Sequence, residues 1–301
     1  MRWSVSNAQI FKQCPRKWYF SNLVVNGEPL DSLQKETKFL KSIRTVYAWR
    51  GQVVDSIISD YLAPKINRKE ELYEQNVVDY AKEYAWKQIQ LVQRSESDFS
   101  LFELYYDGKI DGKVLENLVL EIEISLKNFL KSNFLTEFYK NGKRLVSQRL
   151  IQCKVNGVNI ICKPDAIALY YDKPPIIADW KVQQVSSKDH WRQLAVYALA
   201  ISRATPHSDL KSEWQQFLSD PTKMELLECQ LLHGRERLYS LNQSQIADIE
   251  DFIYLSSNQM LRLVEDKKYP KIQPEEIPTT LNPNTCSRCQ FKRICWKDQN
   301  D

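Results

Sequence analysis

Ile176-Ile177-Ala178-Asp179-Trp180-Lys181-Val182, with Pro164-Asp165 upstream of it, decides how this chain is read. The run is apolar and follows the turn signal Asp172-Lys173-Pro174-Pro175, so it is expected as a strand. Residues i and i+2 of a strand share a face, which puts Asp179 and Lys181 on one side and Trp180 on the other. Antiparallel pairing with the preceding strand then brings Asp165 beside Asp179. Two carboxylates about 4 Å apart repel by roughly 4 kcal/mol at an effective dielectric of 20, a cost that a divalent cation relieves. Mg²⁺ takes one or two carboxylates plus waters and phosphate oxygens, and Lys181 would stabilise or help deprotonate an attacking water. Taken alone, Asp-x-Lys on a strand is more commonly a surface ion pair, so the surrounding pattern has to decide.

Upstream, apolar and β-branched residues alternate from Arg144 to Val155 and again from Val158 to Leu169. Asn156-Gly157 between them is a strong hairpin signal. Downstream, a helix is expected from about Lys188 to Ala204, strands over Met224–Leu232 and Arg235–Leu241, and a long helix from about Ser244 to Glu265. Before the hairpin the pattern is helical: Ser4 to Phe20, then Phe39 to Tyr61 with the stripe Trp49, Val53, Ile57, Tyr61, then about Glu70 to Arg94 and Val114 to Phe138. The length suits one large domain or two closely joined ones, with 64–140 read as a helical insertion and 272–301 as a Pro- and Cys-rich tail. No internal repeat and no G-x-x-x-x-G-K-[ST] phosphate loop occurs, so nothing suggests an ATP motor.

The tail holds Cys286-x-x-Cys289 and, after five intervening residues, Cys295. Thiolates grouped this closely usually share a metal. A fourth ligand is missing locally, and either His233 or the distant Cys14 could supply it; zinc is the simplest occupant of such a Cys₄ or Cys₃His set. Cys153, Cys162 and Cys229 fall in strand candidates, where small thiols are ordinarily core. The bulk numbers exclude little. With 43% hydrophobic and 27% charged residues the chain has an ordinary globular composition, and its net charge of +4 is too mild to mark a nucleic-acid binder. There is no run of about eighteen apolar residues, and Met1-Arg2-Trp3-Ser4 opens no signal peptide. A cytoplasmic protein without membrane contact is the expectation.

Taken in order, Pro164-Asp165 and Asp179-Trp180-Lys181 resemble the signature of the PD-(D/E)XK nuclease superfamily. Gln193 and Tyr197, four apart on one helical face, resemble the Gln-x-x-x-Tyr motif of its RecB-like exonuclease branch. That branch usually has a glycine followed four residues later by a histidine. Here Gly51 is followed by Asp55, a departure that keeps a metal-binding side chain but changes its type. Ser6-x-x-x-x-Phe11-x-x-Cys14-Pro15-Arg16-Lys17-Trp18 resembles the N-terminal cysteine motif of the RecB-like nucleases with an iron-sulfur cluster.

The resemblance implies that residues 1–301 form a single nuclease domain, with a restriction-endonuclease-like α/β core of mixed central sheet and flanking helices. It implies Asp55, Asp165 and Asp179 as ligands of Mg²⁺ or Mn²⁺, and Asp165, Asp179, Lys181, Gln193 and Tyr197 as the catalytic set. Cys14, Cys286, Cys289 and Cys295 would hold a 4Fe-4S cluster that clips the two termini to the core. The activity implied is phosphodiester hydrolysis, exonucleolytic on single-stranded DNA ends, in repair, recombination or CRISPR adaptation, beside a helicase or a CRISPR integrase. Two other readings compete: a DNA-binding module with a decayed site, and a zinc-clamped interaction protein.

Overall fold

The computed structural model describes residues 2–28, 30–183, 190–205, 208, 210, 212–265 and 267–295. The helix expected from Ser4 to Phe20 is broken into α1 (Val5–Gln13) and α2 (Pro15–Tyr19), the second running on as a π-helical turn over Phe20–Val24. The break is at Cys14, whose extended backbone (φ −162°, ψ 109°) follows from Pro15, because a proline ring disfavours helix in the residue before it. The expected Phe39–Tyr61 helix is likewise two, α3 (Ser32–Ser42) and α4 (Val46–Ser56), the latter extended by a π-helical turn over Ile57–Leu62. Thr45 makes the division by capping α4, its hydroxyl accepting from the Ala48 amide at 3.2 Å. Trp49, Val53 and Ile57 are buried and Tyr61 is half-buried.

Helices α5 (Ala63–Asn67), α6 (Glu74–Gln93), α7 (Phe102–Asp107), α8 (Gly112–Leu130) and α9 (Asn133–Asn141) follow. The last two divide the expected Val114–Phe138 helix, because Ser132 caps α9 by accepting from the Leu135 amide.

The strands are β1 (Gly142–Ser147), β2 (Ile151–Val155), β3 (Val158–Cys162), β4 (Ala166–Tyr170), β5 (Ile176–Lys181), β6 (Glu225–Gln230) and β7 (Arg235–Tyr239). The two long alternating runs do not form one hairpin. Only β2 and β3 pair around Asn156-Gly157, both with positive φ (48° and 84°), the pattern of a type I′ turn. The outer halves of the runs leave that hairpin and join a second sheet, of order β1-β4-β5-β6-β7, in which β5 and β6 are parallel and the other pairs antiparallel. The fold is α/β with a mixed central sheet and flanking helices.

Helix α10 (His190–Arg203) crosses from β5 toward β6, followed by α11 (Gln215–Leu218), α12 (Gln243–Val264) and, in the tail, α13 (Pro283–Ser287) and α14 (Lys292–Cys295). Lys188 and Asp189, expected in α10, lie outside the described residues. The alternation along β4 and β5 sorts the core. Ile167, Leu169 and Ile177 pack toward α1, α10 and α12, whereas Ala166, Ala168, Ala178 and Trp180 pack toward α4, α6 and α8. The two ends of the chain meet: the Tyr19 hydroxyl donates to the Ile272 carbonyl at 2.6 Å, Arg16 Nε donates to the Ile277 carbonyl at 2.8 Å, and Phe20 packs on Phe291 at 5.5 Å. Among the described residues no helix is long and apolar enough to cross a membrane.

Candidate active site

The β4–β5 register builds the centre of the site. Ala166 opposes Ala178 and Ile167 opposes Ile177, so one step further along the same register Asp165 stands against Asp179. Asp179 and Lys181 share the face of Ile177 and look toward α10, while Trp180 turns to the opposite face between Phe129 and Phe134, each 5.4 Å away. Lys181 forms an ion pair with Asp179, the pair the i, i+2 spacing predicts. From α10, the Gln193 amide nitrogen donates to Asp179 Oδ1 at 2.9 Å, and its oxygen accepts from Lys181 Nζ at 3.2 Å. One turn on, Tyr197 OH bonds the same amide. Spacing of four on a helix makes this contact possible.

Asp55 arrives differently, from α4, whose apolar stripe packs on the opposite side of the sheet. Gln148 connects it: its amide donates to Asp55 Oδ1 at 2.5 Å and to Asp165 Oδ1 at 3.2 Å, and its backbone amide donates to the Asp165 carbonyl at 3.1 Å. Gln148 lies in the turn after β1 with φ +50°. Asp165 Oδ2 accepts from the Trp180 amide at 2.7 Å. All six residues expected at the site are thus linked through two clusters of hydrogen bonds that meet at β4 and β5.

Burial disfavours charge on the acids, and they also repel one another. Burial pushes Asp55 up to about 6, with the Lys163 ammonium pulling back and Asp179 adding to the rise. Burial raises Asp165 well above the usual carboxylate range, with Asp179 and Asp55 adding to it. Asp179 is raised by burial against the opposing pull of Lys181. Burial works against the Lys181 charge as well, but Asp179, Asp165 and Glu228 outweigh it and hold the ammonium above its ordinary pKa. This is a donor set short of positive charge, and a divalent cation suits it.

Among the described residues, however, no group of three or more His, Cys, Asp or Glu stands at metal-ligating geometry. Asp55, Asp165 and Asp179 are not drawn together as one ligand set, because the Gln148 amide sits between the first two and the Lys181 ammonium holds the third. The cysteines behave similarly. Cys14, Cys286, Cys289 and Cys295 do not converge to ligand distance, yet all four line one small cavity, about 20 Å³, shared with Lys17, Phe20 and Phe291. His233, the other candidate fourth ligand, lies in the turn after β6 and is not among the lining residues. Burial pushes the Cys289 thiol up to about 11, and Arg16 donates to Cys295 Sγ at 4.0 Å. Four thiols around one cavity suit a metal or a cluster as a shared ligand set.

Three groups at the site escape the sequence reading. Glu228 on β6 stands beside Asp179 in the parallel register and is fully buried, and His190 bonds it. A carboxylate inside the apolar run Leu226-Leu227-Glu228-Cys229 is a signal that could have found it, since buried acids need partners. Gln148 left no such signal, because its role depends on a turn that interrupts an otherwise regular alternation.

A family profile described as the PD-(D/E)XK nuclease superfamily matches residues 2–296. Among solved structures, the chain is similar to a "Putative exonuclease" from Eubacterium rectale, with 12% identity over 87% of this chain and 86% of that one and a TM-score of 0.39. It is also similar to SSO0001, with 16% identity over 79% of this chain and 96% of that one and a TM-score of 0.29. No functionally curated protein matches.

Proposed function

We propose a specific activity for this chain, which belongs to the PD-(D/E)XK nuclease superfamily: metal-dependent exonucleolytic hydrolysis of single-stranded DNA ends. The observation that carries the reading is the meeting of Asp165, Asp179, Lys181 and Gln193 on one face at the ends of β4 and β5. Asp55, Asp165 and Asp179 would hold Mg²⁺ or Mn²⁺, which when bound supplies charge at the scissile phosphate and acidifies an attacking water. Lys181 brings its ammonium to the reacting phosphate, where negative charge grows in the transition state. Gln193 fixes that ammonium relative to Asp179, and Tyr197 orients the Gln193 amide. The preference for single-stranded ends rests on the likeness of Gln193 and Tyr197 to the RecB-like motif.

Cys14, Cys286, Cys289 and Cys295 are read as ligands of a 4Fe-4S cluster, supported by their common cavity and by the motif around Cys14. The cluster would clip the termini to a single nuclease domain in which 64–140 is a helical insertion. Work on DNA in the cytoplasm beside a helicase or a CRISPR integrase is the setting this reading implies. The test is anaerobic purification followed by digestion of end-labelled single- and double-stranded DNA with Mg²⁺ or Mn²⁺. Stepwise shortening of single strands and a brown protein containing iron and sulfide are expected. Binding without cleavage in either metal would mean a decayed DNA-binding module, and a colourless protein containing zinc would remove the cluster.

A further inference from the structure

Glu228 is the third acid in a row that runs across adjacent strands, Asp165 just before β4, Asp179 on β5 and Glu228 on β6. Its surroundings set it apart from the other two. It has no solvent exposure, and protein donors meet both oxygens: Tyr239 OH reaches Oε2 at 2.8 Å, and Gln230 Nε2 reaches Oε1 at 2.8 Å. His190 Nδ1 is 2.9 Å from Oε1. An acid saturated in this way is unsuited to serve as a metal ligand, and a buried charge with these partners fixes whatever donates to it.

The group it fixes is His190, the first described residue of α10. The other ring nitrogen of His190, Nε2, lies 3.0 Å from Gln183 Nε2, just past the end of β5. One imidazole therefore ties α10 to β6 and to the residues just past the end of β5. Three residues later on the same helical face, Gln193 bridges Asp179 and Lys181. We infer that His190, held by Glu228, is a positioning residue that sets α10 so that Gln193 locks Lys181 against Asp179. It acts through Gln193 and has no contact of its own with the reacting phosphate.

The inference rests on the nuclease reading, so it is tested both with and without turnover. His190→Ala should lower kcat by about 10- to 100-fold, the effect of a small misplacement at a reacting centre. KM should stay within about twofold, because DNA is held by other contacts. His190→Asn keeps a donor near the Nδ1 position and should recover most of the lost kcat. A loss that instead appeared as lower thermal stability in both variants, with Asn no better than Ala, would overturn the inference. Without turnover, the Gln193 side-chain amide resonances, identified by their disappearance in Gln193→Leu, should shift in His190→Ala and return in His190→Asn. Unchanged Gln193 resonances in His190→Ala would also overturn it, even if the wild-type protein proved unable to cleave DNA. Absence of cleavage by the wild type, with the resonances behaving as expected, would sink only the nuclease reading.

Discussion

The carboxylate site and the cysteine cavity are both gathered from distant sequence, but they stand in opposite relations to the fold. Asp165, Asp179 and Lys181 are set by strand register, and Gln148, Gln193 and the Trp180 amide satisfy them with hydrogen bonds from the protein itself. The fold makes that site. Cys14 comes from a break between two short helices and its three companions from a tail of short turns, with few backbone hydrogen bonds crossing between them. There a shared ligand would help to make the fold. Loss of a group should therefore cost activity at the first site and stability at the second.

The largest expected effect tests the second half of that contrast. Cys14→Ser should lower the iron and sulfide content and destabilise the protein, since linking Cys14 to the tail closes nearly the whole chain into a loop. In an entropic model such a closure is worth about 4–5 kcal/mol. Denaturant unfolding of the anaerobic protein measures it, and a variant with full iron content and unchanged stability would break the comparison. Lys181→Ala should do the reverse. Its kcat should fall by about 10²–10³-fold, the scale for removing one preorganised charge, with DNA affinity and melting temperature nearly unchanged. Equal losses in cleavage and binding would make Lys181 a phosphate anchor.

A smaller effect is expected at Asp55, the one candidate ligand that comes from a helix packed on the other side of the sheet. Asp55→Asn keeps the shape and the contact with Gln148 but removes a charge, so the Mg²⁺ concentration for half-maximal cleavage should rise several-fold. Asp55→His should retain activity and tilt it toward Mn²⁺. A metal titration of cleavage distinguishes these outcomes from an inert surface residue, whose replacement would leave the curve where it was.

What the sequence disclosed follows the range of the interactions involved. The shared face of Asp179 and Lys181, with Trp180 on the other, was legible because strand alternation is a local rule, and so was the hairpin turn at Asn156-Gly157. The helix break at Cys14 was equally local, yet the apolar periodicity across it masked the constraint from Pro15. Sheet order was not legible. The alternating runs read equally well as one long hairpin, and only packing against α1, α10 and α12 on one face and α4, α6 and α8 on the other sends β1 to pair with β4. Gln148 and His190 gain their roles from that topology, so no spacing in the chain announces them.

The smallest effect concerns pH, and its sign separates the two regions again. Asp55 has a pKa of about 6 in the folded protein against an ordinary 3.8, and Asp165 and Asp179 are raised as well. The folded state thus binds more protons than the unfolded one between these values, so these groups lose stability as pH rises from about 4 through 6. Acids with lowered pKa, such as Glu123 and Glu228, act with the opposite sign, but their window lies below about 4.5. The half-buried thiols of Cys289 and Cys295 titrate above their ordinary range, far from this window. Metal-free protein should therefore melt on the order of a few degrees higher at pH 5 than at pH 7. Asp55→Asn should flatten that slope, and Mn²⁺ should reverse it, because ligation favours the deprotonated acids. A slope that survives in Asp55→Asn would detach Asp55 from the coupled acids and assign the slope to Asp165 and Asp179.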